Sequence, residues 1–282
     1  MRFLLLPILV LVSAPLFAQE RFGISSSNYA GADATYLNPA RSAGQWPYAD
    51  VRLVGFDLYA WNSLVAWGNR DQKLVGELRN GMSGTANGEL VMRGNMRGDN
   101  CAFVQAELLG PAFSLVLGKG TIGAGVRTRS FTSATGVSDA FGNFIYNGFN
   151  YLPQRGIRYN DDHTRLLTAT WTEVAVNYGR ILRAEGFGIL SAGVNAHYNI
   201  GHMGGALQFS TLDYTVLDSG QLDLHQVTTS YGVAMPAFNA GSGWGGDIGF
   251  TYERTIDEAD GYMPHHASGS CDPRKYRYRI GL

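Results

Sequence analysis

The sequence predicts an all-β protein: an antiparallel transmembrane β-barrel with a short N-terminal segment folded inside it. Three observations predict this. Long stretches alternate apolar and polar residues with the two-residue period of a strand. The chain is rich in glycine and aromatics, with 37 Gly, 15 Tyr and 14 Phe in 282 residues and 16% charged residues. That glycine content lies well above the average of about 7% and follows no Gly-X-Y period, which suits strands, tight turns and aromatic girdles. Finally, the chain opens with an export signal, and no later run approaches the roughly 20 apolar residues of a membrane helix. An exported chain of that kind is either soluble or a barrel.

The elements follow in order. Residues 1–18 read as a secretory signal: Arg2 supplies the positive end, Phe3 to Val12 the apolar run, and cleavage is expected after Ala18. Residues 19–50 are small and Gly/Ser/Ala-rich around Asn38-Pro39-Ala40, and read as a hatch or plug; Pro39 and Pro47 remove backbone donors and argue against a helix there. Residues 51–282 are the barrel strands and loops. The first strand is expected over 51–67, with Trp61 and Trp67 placed for an interfacial belt, then a long loop over 68–100 with a short helix around Gln72–Asn80.

Two hairpins are the clearest features. Ala102–Gly118 and Thr121–Phe131 meet at Gly118-Lys119-Gly120, and Leu167–Leu182 and Phe187–Ile200 meet at Arg183-Ala184-Glu185-Gly186. Residues 132–165 between them read as a long loop. In 201–244 the pattern is less regular, with a further hairpin expected around Asp218-Ser219-Gly220. Gly245–Thr255 and Arg274–Leu282 alternate again. Across these strands Arg127, Arg129, Glu173, Asp247, Glu253, Lys275, Arg277 and Arg279 share the polar faces, the faces expected to line the lumen.

A soluble sandwich also alternates. Short turns at one end, long loops at the other, and aromatics toward strand ends favour the barrel. Closure matters, because an open edge in lipid leaves unsatisfied backbone groups. Eight to ten strands can be counted. An eight-stranded barrel is filled by its own side chains and has no room for a plug. The expectation is therefore an N-terminal portion of a larger barrel.

Ser27-Asn28-Tyr29-Ala30-Gly31 and Leu37-Asn38-Pro39-Ala40 resemble the N-terminal segment of the FadL-like superfamily of outer-membrane barrels. Gly243-Trp244-Gly245-Gly246-Asp247-Ile248-Gly249-Phe250-Thr251-Tyr252-Glu253 and Tyr276-Arg277-Tyr278-Arg279-Ile280-Gly281-Leu282 extend the likeness, which is nearest to an uncharacterised family from Bacteroidota. The resemblance implies a Gram-negative outer-membrane location and contact with its lipid. It also implies a hatch containing Asn38, Pro39 and Ala40, and passive passage of a hydrophobic small molecule. Another branch implies a structural role or a secretion-system partner. A soluble periplasmic sandwich is the remaining reading.

Chemistry is sparse. The net charge of −1 offers no general attraction to nucleic acid. Asp161-Asp162-His163 and His265-His266 have no metal-ligand spacing and read as solvated loops. His197, beside Asn195 and Asn199 on a polar strand face, reads as a hydrogen-bonding residue. Gly118-Lys119-Gly120-Thr121 opens a strand and is too short for a phosphate loop. No enzyme and no cofactor are expected. Cys101 and Cys271 are two thiols that an oxidising compartment would allow to pair.

Overall fold

The computed structural model describes residues 25, 30–45, 47–67, 90–92, 99–150, 152–217, 220–255 and 277–281. The signal segment, the helix expected near Gln72–Asn80, His265-His266, Cys271 and Lys275 lie outside the described residues. The N-terminal segment forms two 3-10 helices, Gly31–Tyr36 and Pro39–Gly44. This corrects the expectation that its prolines exclude helix. Pro39 is the first residue of the second helix, where the missing N–H has no partner to lose.

The strands follow as β1 (Ala49–Arg52), β2 (Gly55–Asn62), β3 (Val65–Trp67), β4 (Leu90–Met92), β5 (Asn100–Leu117) and β6 (Gly120–Val137). After helix α1 (Asp139–Asn147) come β7 (Arg158–Asp161), β8 (Arg165–Glu185), β9 (Gly188–Val216), β10 (Leu222–Ala234), β11 (Gly241–Thr255) and β12 (Arg277–Gly281). Ten of these strands form one antiparallel sheet; β3 and β4 pair with each other. The sheet order is β1-β5-β6-β8-β9-β11-β12. β2 continues the row of β1 along β5, and β7 continues that of β8 along β9. β10 and β11 share the other edge of β9.

Three expectations are corrected here. The single strand expected over 51–67 is three pieces. Residues 132–165 are not a loop: β6 runs on to Val137, and α1 and β7 follow. Residues 201–216 continue β9 without a break. The helix was hidden by its Gly and Asn content, yet its ends are ordinary. The Ser138 hydroxyl accepts from the Phe141 N–H at 3.2 Å, and Gly148 ends the helix at φ 58°.

The expected tight turns form, shorter than read. Gly118 and Gly186 take the positive φ that a two-residue hairpin turn needs. The barrel does not close: among the described residues, no strand joins β12 to β1 or β2. What stands is an all-β antiparallel sheet with two open edges.

The two faces of this sheet differ in an unusual direction. One face is covered by the N-terminal segment, and its buried side chains are largely polar: Gln105, Glu107, Ser114, Glu173, Asn177, Ser191, Thr251 and Glu253. The bare face carries Leu108, Phe113, Ile122, Val174, Val176, Val194, Ile248 and Phe250, all exposed. Glu107 is 1% exposed, while Ile248 is 74% exposed. Farther along β9, α1 forms a small apolar lid. Phe141 and Phe144 pack with Leu212, Tyr214 and Val216.

Candidate functional site

The site is built where the N-terminal segment meets the sheet, and its floor is glycine. Gly179 of β8 stands opposite Gly193 of β9, which stands opposite Gly249 of β11. A Cβ at Gly179 would overlap the Ser42 hydroxyl, one at Gly193 the Pro39 carbonyl, and one at Gly249 the Asn38 amide oxygen. The glycines are a groove into which backbone fits directly, the usual reason for glycine inside a strand. Ala40 and Ala43, on the segment, are 0% and 1% exposed.

Polar bonds tie the segment to four strands. Asn38 Oδ1 accepts from the Ala40 N–H at 2.9 Å, capping the second 3-10 helix, while its Nδ2 donates to the Phe250 carbonyl of β11 at 3.0 Å. Asn177 of β8 donates to the Pro39 carbonyl at 3.2 Å, and Asn195 of β9 to the Thr35 carbonyl at 2.9 Å. Ser114 of β5 donates to Gln45 Oε1 at 2.7 Å. Each such bond contributes about 0.5–1.5 kcal/mol net. Asp50 adds a cap, accepting from the Ala32 N–H at 2.9 Å.

Above the glycine row lie the charges. Arg127 and Glu173 are register partners on β6 and β8 and pair at 2.9 Å. Arg129 and Glu107 are register partners on β6 and β5 and pair at 2.6 Å. The Tyr36 ring lies over the Arg127 guanidinium at 4.1 Å, and Trp171 lies over that of Arg129 at 5.3 Å. Between the segment and this row is a cavity of about 590 Å³. Its walls include Asn38, Arg127, Glu173, His197, Asn199 and Asp247.

Of the residues expected at the site, Asn38, Pro39 and Ala40 are together on the glycine row. Arg127, Arg129, Glu173 and Glu253 share the covered face. Asp247 shares its parity but stands half-exposed at the cavity rim, 3.7 Å from His197. Arg279 is the register partner of Glu253 and Arg277 that of Thr255. Their side chains lie outside the described ones, as does Lys275. Missed in the sequence were Asn177, Asn195, Gly179, Gly193 and Gly249. Their signal was present: glycines at covered-face positions inside regular strands mark close backbone approach.

The other candidates are structural. Asp161 is buried, not solvated, and accepts from Ser138 at 3.0 Å and Thr164 at 2.8 Å. Asp162 and His163 pair on the surface. Among the described residues, no group of three or more His, Cys, Asp or Glu gathers as a metal site would require. Cys101 is half-buried and has no disulfide partner among the described residues. At the far end, burial pushes the Tyr214 phenol up, with Asp161 and Tyr159 adding to the shift. The hydrogen bond from Arg158 holds the Asp213 carboxyl below its ordinary range.

No curated protein and no solved structure matches this chain. A family described as one of unknown function, DUF5723, matches residues 89–264, from before β5 to the end of β11 and beyond. That span holds the glycine row, both ion pairs and α1, and on it the chain belongs to the DUF5723 family.

Proposed function

We propose that this chain is an outer-membrane β-barrel protein, non-enzymatic, whose N-terminal segment is a hatch. The observation that carries this is the inverted polarity of the sheet. In water, a contiguous exposed apolar face larger than a few hundred Å² is rare, and burying ion pairs while exposing Val, Ile and Phe is costly twice over. In lipid the cost of the apolar face vanishes, because its side chains meet hydrocarbon while the ion pairs face inward, away from it. On β8, β9 and β11 the bare stretches are Val174–Leu182, interrupted by the exposed Arg180 near its turn end, and Leu190–Tyr198 and Trp244–Tyr252, whose side chains on this face are all uncharged. Each is about as long as the roughly 9–11 residues with which a tilted strand crosses a bilayer. Tyr198 and Trp244 stack at one margin of this band, with ring centroids 4.9 Å apart.

Beyond that margin the same face turns to hydroxyls. Thr128 bonds Thr172 at 2.8 Å, Ser130 bonds Thr170 at 2.9 Å, and Thr132 bonds Thr168 at 3.0 Å. On this reading α1, β7 and the distal half of β9 lie outside the bilayer. The two sheet edges must then be paired in the membrane, since unpaired backbone in hydrocarbon costs several kcal/mol per group.

Of the two expected roles, the better supported is a plugged structural or secretion-partner barrel. An apolar solute passing Asn38 needs a hydrocarbon-lined path, and Arg127, Arg129, Glu173 and Asp247 stand among the walls there. The test is bilayer contact. Reconstituted into vesicles of bromine-labelled lipid, the full chain should lose tryptophan fluorescence, and Trp244→Phe should remove a large share of that quenching. Trp171→Phe, on the covered face, should leave it in place. Folded protein recovered without detergent, or quenching unaffected by Trp244→Phe, would sink the reading.

A further inference from the structure

We infer that the cavity beside Asn38 is a binding site for a small, neutral, hydroxyl-rich solute of the saccharide class. The inference goes beyond the barrel reading and does not depend on membrane insertion, because all its walls but Ile248 belong to the covered face or the N-terminal segment. Three properties of the walls lead to it.

The first is size: about 590 Å³ falls within the roughly 300–1,000 Å³ of small-molecule pockets. The second is charge. Both guanidiniums are already held by carboxylates, Arg127 by Glu173 and Arg129 by Glu107, and Asp247 faces His197 at 3.7 Å. Such a lining offers hydrogen-bond donors and acceptors at many angles, while the two guanidiniums that could hold an anion are already taken up by carboxylates. Its apolar surface, from Leu37, Pro39, Ile248 and two aromatic rings, is broken up by these polar groups and gives an acyl chain no continuous hydrocarbon path.

The third is the mixture of chemistry. Asn199 and His197 each present both a donor and an acceptor to a hydroxyl. Tyr36 and Trp171 add the flat amphipathic rings on which the C–H faces of a sugar ring rest. Asn199 Oδ1 is buried without a hydrogen-bond partner, leaving acceptor capacity that a small side-chain adjustment turns toward a ligand. A neutral polyol uses all of this; an anion, a cation or a fatty acid uses only part.

The experiment is calorimetric titration of the full chain in detergent with maltose and with trehalose, with glutamate and oleate as the charged and apolar comparisons. At least one sugar should bind saturably, more tightly than either comparison. Asp247→Ala, a change at the half-exposed rim, should weaken it at least about tenfold, as expected for losing one charged hydrogen bond, with an unchanged melting temperature. Should that variant not fold, Asn199→Ala carries the same expectation. Absence of heat with both sugars, preference for glutamate or oleate, or wild-type affinity in a folded variant would overturn the inference. None of these outcomes bears on bromolipid quenching, so the membrane reading stands or falls separately.

Discussion

The sheet is covered in two different ways at its two ends. Over the glycine row, a segment of Ala, Gly, Ser and Pro lies backbone-to-backbone on the strands, held by side-chain amides and caps. Over the distal half of β9, α1 drops Phe141 and Phe144 onto Leu212, Tyr214 and Val216, an ordinary aromatic core. The first closure excludes volume, so it should be broken by adding atoms. The second is made of volume, so it should be broken by removing them. The contrast also says which lid can move. Polar tethers exchange readily for water, whereas buried rings do not.

The largest expected effect is at the aromatic lid. Tyr214, 2% exposed, touches Phe141, Phe144 and Tyr159 through ring contacts of 5.8–6.2 Å between centroids. Tyr214→Ala should cost about 3–5 kcal/mol locally, as other large-to-small aromatic deletions do. Hydrogen exchange of Asp139–Asn147 should rise sharply while Pro39–Gly44 stays protected. If both segments loosen together, the two lids are one unit and the comparison fails.

Next comes the opposite change at the opposite end. Gly193→Val places a side chain where the Pro39 carbonyl lies, and overpacking of this kind costs about 1–3 kcal/mol. Limited proteolysis should then cut within 30–45, while α1 remains protected. Gly232→Val, at a strand glycine with open space around it, should leave the digestion pattern unchanged. Protection of the segment in Gly193→Val would mean that it is not seated on the glycines.

Asn38→Ala removes both the cap and the bond to the Phe250 carbonyl. A lost cap costs about 1 kcal/mol, so the same proteolysis should show partial release. Smaller still is Tyr214→Phe. The buried Tyr214 hydroxyl has no hydrogen-bond partner, and deleting an unsatisfied buried group is neutral or stabilising. The melting temperature should hold or rise slightly; a clear fall would reveal a partner for that hydroxyl.

The smallest effect is acid dependence at the distal end. Asp213 is held below its ordinary range in the folded state by Arg158, so its contribution is present above the unfolded-state carboxyl range. It is lost as pH falls through the depressed folded value. As a surface pair it is weak. Arg158→Gln should flatten the acid limb of local exchange at β7 and do nothing at Pro39–Gly44.

Much of this architecture was legible in the residues. The period of two in Val174–Tyr178, Leu190–Tyr198 and Ile248–Tyr252 determined which side chains share a face, because alternation is a local property of an extended chain. The hairpins at Gly118 and Gly186 were legible for the same reason: positive φ at glycine is chosen within a few residues. The Asn38-Pro39-Ala40 stretch was likewise visible as local composition.

What the tertiary structure alone decided is everything that depends on register between strands. Gly179, Gly193 and Gly249 are ordinary glycines until pairing lines them up as one groove. Arg127 meets Glu173, and Arg129 meets Glu107, only because antiparallel pairing puts residues 46 and 22 positions apart side by side. The helix at Asp139–Asn147 was passed over because its stability comes less from its own propensity than from the rings of β9 beneath it. That the polar faces turn inward was expected once the chain was read as a barrel; which of their side chains are buried, Glu107, Glu173 and Asn177 among them, was decided by how the N-terminal segment and neighbouring strands pack on them.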